Sequence, residues 1–141
     1  MSETALIELK LLQGYNFEVR FDLDGVPILA VDEQKPTGKG LGPNPTRLLS
    51  AALGHCLSSS LVYCLNKSRV RIKNLRTTVR ASPERNPEGY LRIGGVDVEI
   101  NLTVEEEDKQ RVPRCLELFE NYCTVTQSVR NGIDVKVRTI F

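Results

Sequence analysis

Two of the four cysteines have settings that suit thiol chemistry. Cys56 lies inside a long apolar segment with helical periodicity, so we expect its thiol to be buried. Cys123 lies just before a predicted helix start, where unpaired N–H groups and the positive helix end lower a thiol pKa. A buried thiol and a thiol at a helix N-terminus suit two-cysteine redox chemistry, in which one sulfur is oxidised and the other resolves it. The functional interpretation depends on whether these two sulfurs meet in space.

The residue types alone leave the roles of the two thiols open. A cysteine on an apolar helix face is by default a small core residue, which is the ordinary reading of Cys56. The helix-start argument favours Cys123 as the attacking thiol. Cys64 and Cys115 are expected to be packing residues, since Cys64 lies two helical turns beyond Cys56, too far for a disulfide. His55 points about 100° away from Cys56 around the helix, so a surface or interface position is expected.

Composition excludes several function classes. The chain has 141 residues, 40% of them hydrophobic, and 19 basic residues nearly cancel 18 acidic ones. We therefore predict one soluble domain over residues 1–141, without nucleic-acid or membrane partners and without a stretch of the roughly 18 apolar residues that a membrane span needs. The acidic N-terminus lacks signal-peptide features, so we expect a cytoplasmic protein with reduced cysteines. The cysteine spacing lacks close Cys-x-x-Cys pairs, and no metal or cofactor is expected.

Periodicity predicts the elements that must position these thiols. Alternating residues predict three N-terminal strands, and a loop with three glycines precedes a helix from Pro45 to about Asn66, capped by Asn44. Two further strands, short helices separated at Pro113 and a helix after Cys123 follow. For the last of these helices, the pattern indicates a Thr124–Gln127 capping box and Gly132 as a left-handed stop. The predicted strands cover 7–11, 17–21, 26–31, 75–81, 91–104 (with a bulge at the Gly94–Gly95 pair) and 133–140. This order is typical of an α+β fold.

Two segments carry a resemblance to a known family. Residues 42–56, GPNPTRLLSAALGHC, resemble the first signature of the OsmC/Ohr family of osmotically induced and organic hydroperoxide resistance proteins. Residues 122–133, YCTVTQSVRNGI, resemble its second signature. The order of the surrounding elements also resembles the family over nearly the whole chain. The resemblance implies an OsmC-like fold: antiparallel sheets and a long central helix in an intertwined homodimer.

The resemblance also implies a function, a thiol-dependent peroxidase for organic hydroperoxides or hydrogen peroxide. The cysteine at the position of Cys56 would attack the peroxide, and Cys123 would resolve the sulfenic acid as a disulfide. An external dithiol would then reduce that disulfide. In this family an arginine from the N-terminal sheet assists, and Arg20 is the best match. A cation suits a buried thiolate, with Arg47 as the second candidate.

The chain departs from the family pattern at one position. The family glutamate at the start of the long helix corresponds to Thr46, which cannot hold an arginine by an ion pair. This departure favours an alternative function somewhat: a non-enzymatic OsmC-like protein that senses oxidants or binds an apolar ligand. Repeated turnover of a peroxide, as opposed to one stoichiometric oxidation, distinguishes the two.

Overall fold

The computed structural model describes residues 3–141, and the chain divides into two compact units at Leu49. The first unit contains an antiparallel sheet in the order β1 (Ile7–Gln13), β2 (Asn16–Phe21) and β3 (Leu29–Val31). The three predicted strands are confirmed, but β3 begins at Leu29 and not at 26. Pro27 has no N–H to donate to a ladder, which explains the later start.

The loop after β3 is organised around one buried carboxylate. Asp32 is 4% exposed and accepts backbone hydrogen bonds from Glu33, Lys39 and Leu41, at 2.8, 3.3 and 3.2 Å. Hydrogen bonds from several backbone donors to one carboxylate are charge-assisted and stabilise this glycine-rich loop. The side-chain oxygen of Asn44 then accepts the N–H of Arg47 at 3.0 Å, which confirms the predicted helix cap.

Helix α1 spans Pro45–Lys67, one residue longer than predicted. Its buried residues recur every four positions at Leu53, Leu57, Leu61 and Leu65, as expected for a helix with one face against a core. Gly54 lies against strand β4 of the second unit, where an added Cβ would lie 2.7 Å from Val79 Cγ2. The small residue therefore permits the close approach of helix and sheet.

The expectation that no apolar stretch approaches the length of a membrane span is wrong. By length and composition alone, α1 is long and apolar enough to cross a membrane, and 39% of its most apolar 18-residue window is buried. A core helix of a folded protein meets the same criterion. Because Leu61 and Leu65 of α1 are buried in the core of the second unit, we interpret α1 as a core helix.

The second unit contains a long two-stranded antiparallel ribbon, β4 (Ile72–Arg85) and β5 (Leu91–Val104). Strand β5 has its predicted bounds, whereas β4 begins three residues before the predicted start and ends four residues beyond the predicted end. The register changes where Ser82 pairs with Gly95 and Pro83 pairs with Ile93, which leaves Gly94 as the bulged residue. The bulge predicted at the two glycines is thus confirmed, and it accommodates the missing N–H of Pro83 within the strand.

Short helices complete the second unit. A 3₁₀ turn at Glu106–Arg111 leads into α2 (Val112–Leu118), a second 3₁₀ turn at Phe119–Tyr122 and α3 (Thr124–Asn131). The predicted restart at Pro113 is confirmed, since this proline lies in the first turn of α2.

The predicted caps of α3 are wrong in two details. Cys123 is the N-cap, and the side chain of Gln127 donates to the carbonyl of Glu120 at 3.1 Å instead of forming a capping box. Gly132 does follow the helix with a positive φ of 78°, but its ψ of 146° lies outside the left-handed helical region.

The predicted final strand is also wrong for the isolated chain. Residues 132–141 carry no regular secondary structure, and every residue from Gly132 to Phe141 is exposed. The alternation of apolar and charged residues is present, but a strand forms only where a neighbouring strand accepts and donates its hydrogen bonds. Within residues 3–141, this segment has no such neighbour.

A buried carboxylate joins the helical segment to the sheet. Asp108 is 3% exposed and accepts hydrogen bonds from the backbone and side chain of Arg71 (2.8 and 2.9 Å) and from the side chain of Arg111 (2.7 Å). The hydrogen bonds from Arg71 hold the pKa of this carboxyl well below its usual range; burial opposes them, and Arg111 adds to the lowering.

We expect Asp108→Asn to lower the melting temperature at neutral pH, because the amide keeps the shape but loses the charge-assisted pairs. A carboxyl whose pKa is depressed by folding stabilises the protein above its unfolded pKa, near 3.8, and loses that contribution as the pH falls through the lower folded pKa. The melting-temperature difference between wild type and variant should therefore be full at pH 7 and shrink below about pH 4. Glu106→Gln, which breaks an exposed ion pair to Lys109, is the control and should change little.

Candidate active site

The second unit brings Cys56 and Cys123 together at the first turn of α3. Cys56 projects from α1, and its sulfur accepts the backbone N–H of Val125 at 3.4 Å. Cys123 is the N-cap of α3, and the two thiols lie within hydrogen-bonding distance of each other. Two sulfurs that share the N-terminal end of one helix can exchange a proton and, after oxidation, can form a bond.

The surroundings of Cys56 favour its protonated form. Burial raises the pKa of this thiol above its ordinary value, and the hydrogen bond to Cys123 raises it further. The backbone N–H groups of Val125 and Thr126 act in the opposite direction but do not reverse the shift. Cys56 is therefore the harder of the two thiols to ionise.

Cys123 has the lower pKa of the two. Burial raises the pKa of its thiol, but hydrogen bonds to Cys56, Thr126 and Ser60 outweigh that effect and leave the pKa below its ordinary value. The Thr126 hydroxyl oxygen lies 3.0 Å from the Cys123 sulfur. The Cys123 thiol donates this hydrogen bond to Thr126. Because the pKa of Cys123 is lowered and that of Cys56 is raised, Cys123 is the first thiol of the pair to ionise as the pH rises.

Cys123 has the lower pKa, but Cys56 is the more exposed of the two residues. Cys123 is fully buried, at 0% exposure, whereas Cys56 is partly exposed. A molecule arriving from solvent therefore meets Cys56 first, while Cys123, the thiol with the lowered pKa, is buried. The arrangement separates the accessible sulfur from the sulfur that ionises more easily.

The third predicted site residue, Arg20, lies on β2 of the first unit. Its side chain is 62% exposed, and its guanidinium lies 3.8 Å from the carboxylate of Glu18 on the same strand. Arg47, the second candidate cation, donates to the side-chain oxygen of Asn44 at 3.2 Å. The role of either arginine toward Cys56 stays a prediction.

The remaining cysteines and the histidine lie where the sequence predicted. Cys64 and Cys115 are buried in the apolar core, and His55 is exposed on the surface of α1. Among residues 3–141, no three His, Cys, Asp or Glu side chains are grouped closely enough to hold a metal ion.

Sequence reasoning missed the two hydroxyl groups beside Cys123. Ser60 follows Cys56 by four residues on α1, and Thr126 follows Cys123 by three residues on α3. Residues at these spacings lie on the same helix face, so each hydroxyl could have been assigned to its cysteine from the sequence.

Comparisons with known proteins agree with this architecture. The family model of OsmC-like proteins matches residues 38–138. No curated protein matches the chain in sequence. Among solved structures, an OsmC-like protein of unknown function from Vibrio cholerae is similar with a TM-score of 0.76 and 14% identity, covering 91% of this chain and 94% of that one.

Solved structures of similar fold include proteins named for hydroperoxide resistance. The organic hydroperoxide resistance protein OsmC of Legionella pneumophila has a TM-score of 0.65 and 20% identity, covering 95% of this chain and 94% of that one. An organic hydroperoxide resistance protein of Bacillus subtilis has a TM-score of 0.61 and 18% identity, covering 95% and 96%. At these identities the likeness concerns the fold, which is α+β and OsmC-like. Because the family model spans most of the sequence, the chain belongs to the family of OsmC-like proteins.

Proposed function

We propose that the protein is a thiol-dependent peroxidase that reduces organic hydroperoxides or hydrogen peroxide with Cys56 and Cys123. The observation that carries the proposal is the contact between these two thiols at the first turn of α3, with one sulfur accessible and the other buried. Membership of a family that includes hydroperoxide resistance proteins supports the same reaction class. The disulfide formed in each turnover must be reduced before the next one, which suits the reducing cytoplasm.

The first step transfers a proton within the thiol pair. When a hydroperoxide ROOH meets Cys56, the Cys123 thiolate takes the Cys56 proton along their hydrogen bond. The Cys56 thiolate attacks the terminal peroxide oxygen, the O–O bond breaks, and the sulfur is oxidised to a sulfenic acid. The departing alkoxide takes the proton back from Cys123 and leaves as ROH. The proton held between the two sulfurs therefore serves both to activate the nucleophile and to protonate the leaving group.

The second step uses the same buried sulfur as a nucleophile. The Cys123 thiolate attacks the sulfur of the Cys56 sulfenic acid, hydroxide leaves as water after taking a proton from solvent, and the disulfide forms. An external dithiol then reduces the disulfide by exchange and is itself oxidised. The low pKa of Cys123 makes it the better leaving group in that exchange.

Arg20 is the proposed cation for the Cys56 thiolate. A guanidinium close to a thiolate lowers the thiol pKa, and opposite charges within a few ångströms shift a pKa by about 1–3 units. We expect Arg20→Ala to raise the pKa of Cys56 by about one pH unit or more. Iodoacetamide alkylation of Cys56, followed as a function of pH, measures this.

Two further variants control the arginine experiment. Arg20→Lys keeps the positive charge and should recover part of the lower pKa, whereas Arg47→Ala should leave the alkylation profile unchanged. An unchanged profile in Arg20→Ala would assign the activation of Cys56 to another group.

The proposed assembly is a homodimer. All seven residues of β1 are exposed, including Leu9 and Leu11, and the unpaired segment 133–140 exposes Val135 and Val137. Apolar surface of this extent on two strand-like segments requires a covering partner, and a second copy would also cover the exposed part of α1.

The dimer is tested by sedimentation equilibrium at micromolar concentration. We expect twice the 15.8 kDa mass of the chain, and a lower dimer fraction in Val135→Asp/Val137→Asp. An exposed charged position, Lys73→Asp, is the matched control. A stable, folded monomer in the wild type would refute the assembly.

The second candidate function is a non-enzymatic oxidant sensor or apolar-ligand protein on the same fold. Thr46, at the position of the family glutamate, favours it because an ion pair to an arginine is lost there. Steady-state assays with excess dithiol and either an alkyl hydroperoxide or hydrogen peroxide separate the two functions. The peroxidase proposal requires many equivalents of peroxide to be consumed per protein, whereas a sensor stops after one.

A further inference from the structure

The second unit contains another pair of cysteines, away from the proposed active site. Cys64 lies on α1, eight residues beyond Cys56, and Cys115 lies on α2, eight residues before Cys123. Both belong to one buried cluster, with Leu61 and Leu65 among its other members. The two pairs thus lie along the same helix, one pair at the site and one in the core.

The two side chains of the second pair share one buried cluster, and the Cys64 thiol is within hydrogen-bonding reach of Cys115. The Ser68 hydroxyl lies 3.5 Å from the Cys115 sulfur, and Ser68 follows Cys64 by four residues along the chain, just past the end of α1. Cys64 and Cys115 are 8% and 0% exposed, so both side chains are largely shielded from solvent. Two buried thiols within hydrogen-bonding reach form a disulfide when their sulfurs approach to about 2.05 Å.

We propose that Cys64 and Cys115 form a second disulfide site, in which a hydroperoxide converts the buried dithiol into a cross-link between α1 and α2. Cys64 is the more exposed sulfur and reacts first: its sulfur attacks the peroxide, its proton goes to the departing alkoxide, and ROH leaves. The sulfur of Cys115 then attacks the Cys64 sulfenic acid, and the Cys115 proton leaves with the hydroxyl group as water. One hydroperoxide oxidises two thiols and yields one disulfide, ROH and water.

This second site is slower than the first. Burial, the hydrogen bond to Cys115 and the charge of Cys115 raise the pKa of Cys64 to about 11, and Arg114 offsets this only in part. A thiol with this pKa is almost entirely protonated at neutral pH, and the thiol form is a poor nucleophile. The second disulfide therefore forms only under sustained oxidation, after the first pair has reacted.

The cross-link has a structural consequence. It closes a loop of about fifty residues and constrains the unfolded chain, so the oxidised protein is more stable. It also fixes α2, which precedes the segment that carries Cys123, against α1. Excess oxidant therefore makes the framework of the unit more rigid without altering the atoms at Cys56 and Cys123.

The test uses Cys56→Ser/Cys123→Ser, in which only the second pair can react. The variant is incubated with excess cumene hydroperoxide, alkylated without reduction and mapped by peptide mass spectrometry. We expect loss of both thiols, a linked Cys64–Cys115 peptide, and a rise of roughly 5 °C or more in melting temperature that a dithiol reverses. Adding Cys115→Ala to this background is the control and should abolish both the link and the rise.

Wild-type protein provides a second measurement in case the double variant does not fold. At increasing oxidant, the Cys56–Cys123 link should appear first and the Cys64–Cys115 link later. Recovery of Cys64 and Cys115 as alkylated free thiols after prolonged oxidation would overturn the proposal, and so would sulfinic acid at Cys64 without a link. Either result leaves the proposed peroxidase intact, because turnover depends on the other pair.

Discussion

Cys56→Ser should reduce hydroperoxide turnover by about a thousandfold or more, because a serine hydroxyl does not ionise near neutral pH and cannot replace a thiolate as nucleophile. The accessible position of Cys56 beside the proton acceptor Cys123 is the physical reason for expecting so large an effect. Steady-state consumption of an alkyl hydroperoxide and of hydrogen peroxide, with excess dithiol, measures it. Cys64→Ala is the matched control on the same helix and should retain most of the wild-type rate.

A serine at position 56 nearly conserves volume, so a loss of fold is not expected to explain the loss of rate. The melting temperature of Cys56→Ser should stay close to that of the wild type. Retention of more than about a tenth of the wild-type rate, a difference of under 1.4 kcal/mol in barrier, would remove Cys56 from the role of nucleophile.

Cys123→Ser should separate the first oxidation from repeated turnover. Without Cys123 the sulfenic acid has no resolving thiol, so one equivalent of peroxide is consumed and Cys56 remains as a sulfenic acid. The variant also loses the proton acceptor, and removal of a positioned acid–base group slows proton transfer by about 10²–10⁴-fold. Dimedone trapping of Cys56 and stopped-flow measurement of the single oxidation report these two effects separately.

The conservative variant Thr126→Val sharpens this test. It removes the hydroxyl that lies 3.0 Å from the Cys123 sulfur while both thiols remain. We expect a slower first oxidation with the disulfide still formed, because the pKa of Cys123 rises when a stabilising hydrogen bond is lost. A wild-type rate in both Thr126→Val and Cys123→Ser would show that the proton of Cys56 leaves by another route.

Periodicity and local signals predicted the positions of the elements well. The bounds of α1 follow from Asn44 and Pro45 at one end and the apolar repeat along its length, and the bulge at Gly94 follows from the paired glycines. These features depend on the nearest few residues, which the sequence displays directly.

Predictions failed where the outcome depends on distant partners. The segment 133–140 has the alternation of a strand, but pairing needs a neighbouring strand, and residues 3–141 of one chain place none beside it. The predicted capping box at Thr124 does not form, because the Gln127 side chain donates instead to the backbone carbonyl of Glu120. A 3₁₀ turn brings this carbonyl close to Gln127. In both cases the decisive group lies outside the local pattern.

The site was predicted in part. The two signatures indicated Cys56 and Cys123, and the structure brings them together. The lowered pKa of Cys123 agrees with the prediction from its helix-start position, and the raised pKa of Cys56 agrees with its predicted burial. The hydrogen bond between the two sulfurs could not be predicted, because it depends on how α1 and α3 pack against each other. The shared cluster of Cys64 and Cys115 was not expected either, since it joins α1 to a helix about fifty residues later.

The central claim is that Cys56 and Cys123 form a disulfide during the reaction. The most direct measurement is peptide mapping of reduced wild-type protein quenched with acid after addition of one equivalent of hydroperoxide, followed by alkylation without reduction. The account predicts a linked Cys56–Cys123 peptide in stoichiometric yield, with Cys64 and Cys115 recovered as alkylated thiols. Linkage of Cys56 to Cys64 or Cys115 at that first equivalent, or its persistence as an unlinked sulfenic acid, would contradict it.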